Sequence, residues 1–388
     1  SRAVRMEGRL ETPALRRALR ALVARHESLR LRFVEDGDGK VCQLAPAEPG
    51  YAWRESQADG DPRERLRALA REPFDLAHGP LLRADLLHLA PARAVLLLST
   101  HHIVADGWSL DLLWRELFAA YRAVLAGRDP TEILPPLPLQ FGDVVAWQHE
   151  WQDQADAHLA YWRERLGGEQ PVLELPLDRP RPAVRSAEGG HHRLRIEAPL
   201  AAALRRLAGQ ARTTLSTILL GAFGMLLYRY AGQRSLRIGV PAAGRHRRET
   251  EGLIGYFVNT LVIGIELDGA MDTAAVWPAV HARISEAQAH QETPFAQVLR
   301  TLRSAGEAGP APFQVMFNLE SASARTAPVA PGLELAAEDG STDTARFDLV
   351  LNAVDDGEAL RLSFNYAKDV FEAATVARLG GHYLELLG

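Results

Sequence analysis

Residues 94–127 set the tightest limit on the fold. "AVLLLST" is an apolar run bounded by turns, and beyond the polar "HHIVADGWS" lies a helical stripe of Leu110, Leu113, Trp114, Leu117, Phe118, Tyr121, Val124 and Leu125, stopped by Gly127. The first reads as a buried strand over 94–102 and the second as an amphipathic helix. A buried strand that feeds straight into such a helix is a unit of an α/β protein.

The rest of the chain repeats the alternation. "AVRMEGRL" reads as a strand, and "ETPALRRALRALVARHESLR" as a helix with Thr12 as N-cap and Pro13 in its first turn. "LRLRFVED" and "KVCQLA" flank "GDG" as a hairpin, and "PRERLRALAREPFDL" is a charged helix. "EILPPLPLQFGDVVAWQHEWQ" runs from a proline-rich loop into an aromatic helix, and residues 167–190, rich in Pro and Gly, read as a linker. Beyond it come the apolar helix "LSTILLGAFGMLLYRYAG", strands in "SLRIGVPAAG" and "GLIGYFVNTLVIGIEL", a helix in "AAVWPAVHARISEAQAH", further strand-like runs and a last helix, "EAATVARLGGHYLELLG". The expectation is an α/β chain of two lobes, residues 1–170 and 171–388.

Composition narrows the function. A formal net charge of −5 offers no basic footprint for nucleic acid. Cys42 is the single cysteine, so no disulfide framework forms within the chain, which fits a reducing cytoplasm. No apolar run approaches the roughly 18 residues of a membrane span.

Two histidine pairs stand out. Side chains alternate faces along a strand, so His101 and His102 at the end of "AVLLLST" are expected to point apart, which counts against one shared metal ion. Neither HExxH nor CxxC completes a zinc site. A histidine where a strand enters a helix can act as base, acid or hydrogen-bond acceptor near neutral pH; it can equally be structural. Asp106 suits the N-terminus of the following helix, or pairing with an arginine, and Gly107 leaves space and permits positive φ. The second pair, His191 and His192 in "GGHHRLRI", enters an alternating strand with Arg193 and Arg195 on its solvent face and has no acid–glycine turn after it.

At "HHIVADGWS" the chain resembles the HHxxxDG signature of condensation domains of nonribosomal peptide synthetases. "RHESLRLRF" (25–33) resembles the RHExLRTxF block, "FGDVVAWQ" (141–148) the Y-x-D-[FY]-A-x-W block, and "IGYFVNT" (254–260) the IGxFVNT block. "HQETPFAQVL" (290–299) resembles HQDxPFExxV and "PFQVMFNLE" (312–320) the FQVxF block. The blocks stand in the family's order and span nearly the whole chain. Two departures are visible: the family's first block is absent, so Ser1 is expected to lie downstream of a native start, and "SAGEAGPAP" replaces the usual arginine- and serine-bearing approach to FQVxF.

The resemblance implies two chloramphenicol-acetyltransferase-like lobes in a V, a pseudo-dimer, with a tunnel entered from opposite sides by two carrier-borne arms. His102 matches the family's active-site histidine and His101 its structural partner. Asp106 matches the acid that holds the loop through an arginine, for which Arg30 is the candidate, and Gly107 the glycine that keeps the tunnel open. Trp108, Ser109 and Asn259 are tunnel candidates; Trp108 and Trp147 are expected in the core, and Asn259 is divided between a cleft role and backbone pairing. The implied reaction is peptide-bond formation between an upstream donor and a downstream acceptor carrier domain, beside an adenylation domain, in synthesis of an antibiotic or siderophore. No metal and no bound cofactor are implied, because 4'-phosphopantetheine comes with the carriers. Nucleic acid and membrane are not expected partners. Rival readings are an epimerisation domain, a CoA-dependent acyltransferase of the same fold, an HxxxxD glycerolipid acyltransferase using His101 and Asp106, and a condensation-like domain that only recruits partners.

Overall fold

The computed structural model describes residues 1–388 except 49, 152–155, 169–171, 305–310, 322–331 and 339–342. The chain runs β1 (Arg2–Gly8), α1 (Thr12–Arg25), β2 (Arg32–Glu35), β3 (Val41–Leu44), β4 (Ala52–Gln57), α2 (Pro62–Arg71), β5 (Leu82–Ala90), β6 (Arg93–Thr100), α3 (Gly107–Leu125) and α4 (Phe141–Trp151). It continues through α5 (Asp156–Leu166), β7 (Gly189–Ile196), α6 (Ala198–Gln210), α7 (Leu215–Ala231), β8 (Ser235–Ala242), β9 (Asn259–Glu266), α8 (Thr273–Ala289) and α9 (Phe295–Ser304). The last elements are β10 (Val315–Ser321), β11 (Leu333–Glu338), β12 (Leu349–Asp355), β13 (Leu360–Ala367) and α10 (Ala373–Leu387).

Two α/β units result. One comprises Ser1–Trp151, Arg245–Phe257 and Ala324–Thr342; the other comprises Gln152–Gly244, Val258–Ser323 and Asp343–Gly388. The expected single boundary at 170/171 differs from this division. The first crossing comes earlier, at 151/152, and two later segments return to the first unit.

The first unit holds a five-stranded sheet in the order β11-β1-β6-β5-β4. Its central strand, β6, explains the continuous apolar run. Leu96 and Leu98 pack with Leu15, Leu19 and Leu22 of α1 and Leu113 and Leu117 of α3, while Val95 and Leu97 pack with Leu66 and Leu69 of α2. A strand covered on both faces needs no polar alternation, and each such side chain contributes about 1.5–3 kcal/mol when fully buried. The helix stripe of α3 is likewise borne out, with Leu113, Leu117 and Tyr121 buried. Thr12 is not the N-cap of α1: it is the first helical residue, and Glu11 holds the cap position without a side-chain bond. The hairpin β2–β3 forms as expected around "GDG".

The second unit holds a six-stranded sheet in the order β7-β13-β12-β10-β8-β9. Its central helix α7 is capped by Thr214, whose Oγ1 accepts the Thr217 N–H, and stops at Gly232 in the left-handed region at φ 67°. Tyr383 of α10 is fully buried and donates to the Leu219 carbonyl at 2.9 Å; burial pushes its phenol pKa up. No single helix among the described residues is long and apolar enough to cross a membrane.

Residues 172–188, read as linker, are instead part of this unit. Leu173 and Leu175 are buried in its core, and Arg181 and Arg185 both pair with the buried Asp348. The second histidine pair lies in edge strand β7, opposite Asn365 and Phe364 of β13. Its "GG" is a packing requirement, since a Cβ on Gly190 would come within 2.4 Å of the Tyr366 ring.

Candidate active site

The histidine pair does not lie on the strand. β6 ends at Thr100, and His101 and His102 occupy the turn that leads to α3. Strand alternation therefore does not set their directions. His101 N–H donates to the Leu81 carbonyl at 3.2 Å, and His101 Nδ1 accepts the Ile103 N–H at 3.1 Å. Both bonds lie within the turn and its approach.

His102 is exposed, and its Nδ1 lies 2.9 Å from the Ala105 carbonyl oxygen. A carbonyl oxygen can only accept, so Nδ1 carries the proton. In the neutral ring Nε2 then holds a lone pair, and it makes no hydrogen bond among the described residues. The Tyr256 ring stands edge-on to it, with centroids 5.1 Å apart and planes at 88°.

Asp106 is buried at 1% exposure and is used on every side. Oδ1 caps α3 by accepting the Ser109 N–H at 2.8 Å, and also faces Arg245 Nη2 at 3.3 Å. Oδ2 accepts the Phe257 N–H at 3.1 Å, and the Asp106 N–H donates to the Gly255 carbonyl at 3.2 Å. The arginine is thus Arg245 and not Arg30, whose Nη1 donates to the Pro46 and Ala47 carbonyls. Arg245 also donates to the Thr250 and Leu253 carbonyls and lies 4.0 Å from the Phe257 ring centroid. Burial lowers its pKa, and the charge of Asp106 opposes that shift. The sequence offers Arg245 only as one member of "GRHRRE", with no spacing to mark it out.

The remaining candidates divide. Ser109, expected in the tunnel, is fully buried; its Oγ accepts from Arg245 Nη2 at 2.9 Å and from Gly255 N–H at 3.0 Å, and donates to the Gly255 carbonyl at 2.8 Å. It is a bracket within the first unit. Trp108, expected in the core, is 46% exposed, with its indole N–H on the Glu251 carbonyl at 3.0 Å. Trp147 is half-buried with the Arg247 guanidinium 4.2 Å from its ring centroid, so it too is not core. Gly107 begins α3 without positive φ, and a Cβ there would meet nothing within 4 Å; space is what the glycine leaves, not strain.

Asn259 lies in the second unit. Its Nδ2 donates to the Gln291 and Thr293 carbonyls and its Oδ1 accepts the Phe295 N–H at 2.9 Å, so the amide pins the "HQETPF" loop to the start of β9. "GLIGYFVNTLVIGIEL" is accordingly a strand only from Asn259; residues 252–258 form no strand, and 252–257 belong to the first unit. The RHESLR block supports that unit as well. His26 Nε2 pairs with buried Glu116 of α3 at 2.7 Å, and Ser28 Oγ donates to the Ile254 carbonyl at 2.7 Å. The departure "SAGEAGPAP" falls largely on 305–310, outside the described residues. No group of three or more His, Cys, Asp or Glu side chains suited to a metal occurs among the described residues.

The chain is 40% identical over 406 residues to one of the linear gramicidin synthase proteins of Brevibacillus parabrevis, covering 99% of this chain and 5% of that one. It thus spans a small part of the relatives it matches. Among solved structures, the X-domain from teicoplanin biosynthesis superposes with a TM-score of 0.89 at 29% identity, over 100% of this chain and 88% of that one. The same kind of domain is solved in complex with OxyB, with a TM-score of 0.87. The condensation domain of the monacolin K polyketide synthase MokA shares the fold, with a TM-score of 0.84 at 22% identity over 100% of this chain and 91% of that one. The Condensation domain family model matches residues 1–388 from end to end, and with relatives at 40% identity the chain belongs to the condensation-domain family.

Proposed function

We propose that the domain forms peptide bonds in nonribosomal peptide synthesis. An upstream carrier presents an acyl or peptidyl thioester on its phosphopantetheine arm, and a downstream carrier presents an aminoacyl group with a free α-amine. The amine nitrogen attacks the thioester carbon, the C–S bond breaks, and the donor arm leaves as its thiol. His102 Nε2 accepts the proton that the amine gives up, and the proton goes on to the departing sulfur. A thioester is already activated, so no covalent enzyme intermediate is needed, and positioning of the two arms contributes several kcal/mol, of order 7–11 in favourable cases.

The observation that carries this reading is the single tautomer of His102. Its Nδ1 is tied to the Ala105 carbonyl at 2.9 Å, which leaves Nε2 of this exposed side chain as a proton acceptor. The buried Asp106–Arg245 pair serves that turn and does not take part in the chemistry. The partners fit a multidomain setting, with carrier domains on both sides and an adenylation domain nearby, and the lone Cys42 fits a reducing cytoplasm.

A recruitment domain is the second reading, favoured by the likeness to the X-domain that is solved bound to OxyB. A CoA-dependent acyltransferase is the third. One experiment separates them: the domain is mixed with a thioester-loaded donor carrier, an aminoacyl acceptor carrier, or CoA thioesters in place of the donor. Amide product on the acceptor carrier from the carrier-bound donor supports condensation. Turnover from CoA thioesters alone supports the third reading, and no product with either donor supports recruitment.

A further inference from the structure

We infer that Tyr256 is a positioning residue that sets the orientation of the His102 imidazole; the inference rests on the reading of His102 as the proton acceptor. The block 254–257 is buried except at this residue. Ile254 is 2% exposed and Phe257 7%, while a Cβ on Gly255 would lie 2.3 Å from the Phe141 ring. Tyr256 is turned outward at 45% exposure.

Its backbone is nevertheless clamped on both sides, and by the turn that carries His102. Gly255 is bonded through its N–H and its carbonyl to Ser109 Oγ, and that carbonyl also takes the Asp106 N–H. Phe257 N–H is held by Asp106 Oδ2 at 3.1 Å. The hydrogen-bonded cluster around Asp106 therefore has an outcome beyond its own stability: it fixes Tyr256 against His102, in the edge-to-face geometry that ring quadrupoles favour.

His102 needs such a partner. It is exposed, lies past the end of β6, and its ring is hydrogen-bonded at Nδ1. That bond selects the tautomer but leaves the ring to rock about it. A proton acceptor must stay in line with the amine, and an error of about 1 Å costs about 100-fold in rate. The contact is made by the ring, so a phenylalanine should serve and an aliphatic side chain should not.

The test is a single-turnover condensation assay with two loaded carriers on Tyr256→Phe, Tyr256→Leu and His102→Ala, with ¹⁵N histidine NMR of each. Tyr256→Phe should stay within about 3-fold of wild type. Tyr256→Leu should be about 10- to 100-fold slower at saturating carrier, with the half-saturating carrier concentration within about 2-fold and a wild-type melt. The His102 signal, assigned by its loss in His102→Ala, should report the same tautomer in wild type, Tyr256→Phe and Tyr256→Leu, while its relaxation should report a held ring in wild type and Tyr256→Phe and a mobile ring in Tyr256→Leu. If Tyr256→Leu turns over at the wild-type rate, loses only carrier affinity, or keeps a His102 ring as immobile as in wild type, the inference is overturned. Normal turnover by His102→Ala would instead overturn the reading beneath it.

Discussion

Asp106 is 1% exposed, and both of its carboxylate oxygens accept hydrogen bonds. A D-G pair before a helix reads as a turn with a cap, and the cap is there, on the Ser109 N–H. The same carboxylate also faces Arg245, with side-chain exposures of 0% and 2% respectively, and binds the Phe257 N–H. Removing one charge of a buried pair leaves the other uncompensated, at a cost of about 3–5 kcal/mol. Asp106→Asn should therefore unfold at markedly lower urea and lose condensation activity with it. An inactive variant with the wild-type unfolding midpoint would return Asp106 to the chemistry. The sequence points to an acid–arginine pair but not to its second member: Arg30 and Arg245 lie far from Asp106 along the chain on opposite sides, and only the fold distinguishes them.

At the scale of elements, the legible parts are those whose pattern follows from one environment. β6 reads as a strand because both faces are covered, and α3 reads as a helix because one stripe is. Residues 252–258 mislead for the same reason. Leu253, Ile254 and Phe257 are as apolar as a strand, yet they sit in an irregular loop, with Leu253 and Phe257 in the cluster of Phe141 and Val104 and the Ile254 carbonyl on Ser28. Residues 172–188 mislead in the other direction, since proline content suggests a linker where Leu173 and Leu175 are core. β11 pairs with β1 across more than 300 residues, which no local pattern announces. The loop also gives a prediction. A Cβ at Gly255 would stand 2.3 Å from Phe141 and 2.7 Å from Phe257. Gly255→Ala should lower stability by about 1–3 kcal/mol through overpacking and slow condensation by displacing Tyr256. A crystal structure or melt indistinguishable from wild type would show that the loop has slack the packing does not reveal.

Across the molecule, the family blocks prove to be mostly scaffold. RHESLR ties α3 and the 254 carbonyl together, IGYF seals the histidine turn, and the Asn259 amide locks the HQETPF loop within the second unit. Among the motif histidines His102 is the exposed one, and its Nδ1 bond leaves Nε2 able to take a proton. The central claim is that this nitrogen receives the amine proton during amide formation. Its most direct test is the single-turnover rate of amide formation between two loaded carriers, measured for wild type and for His102→Ala under conditions where both are folded. Loss of a general base predicts a fall of about 10²- to 10⁴-fold with an unchanged melt, and a folded His102→Ala domain that condenses at the wild-type rate would contradict the account.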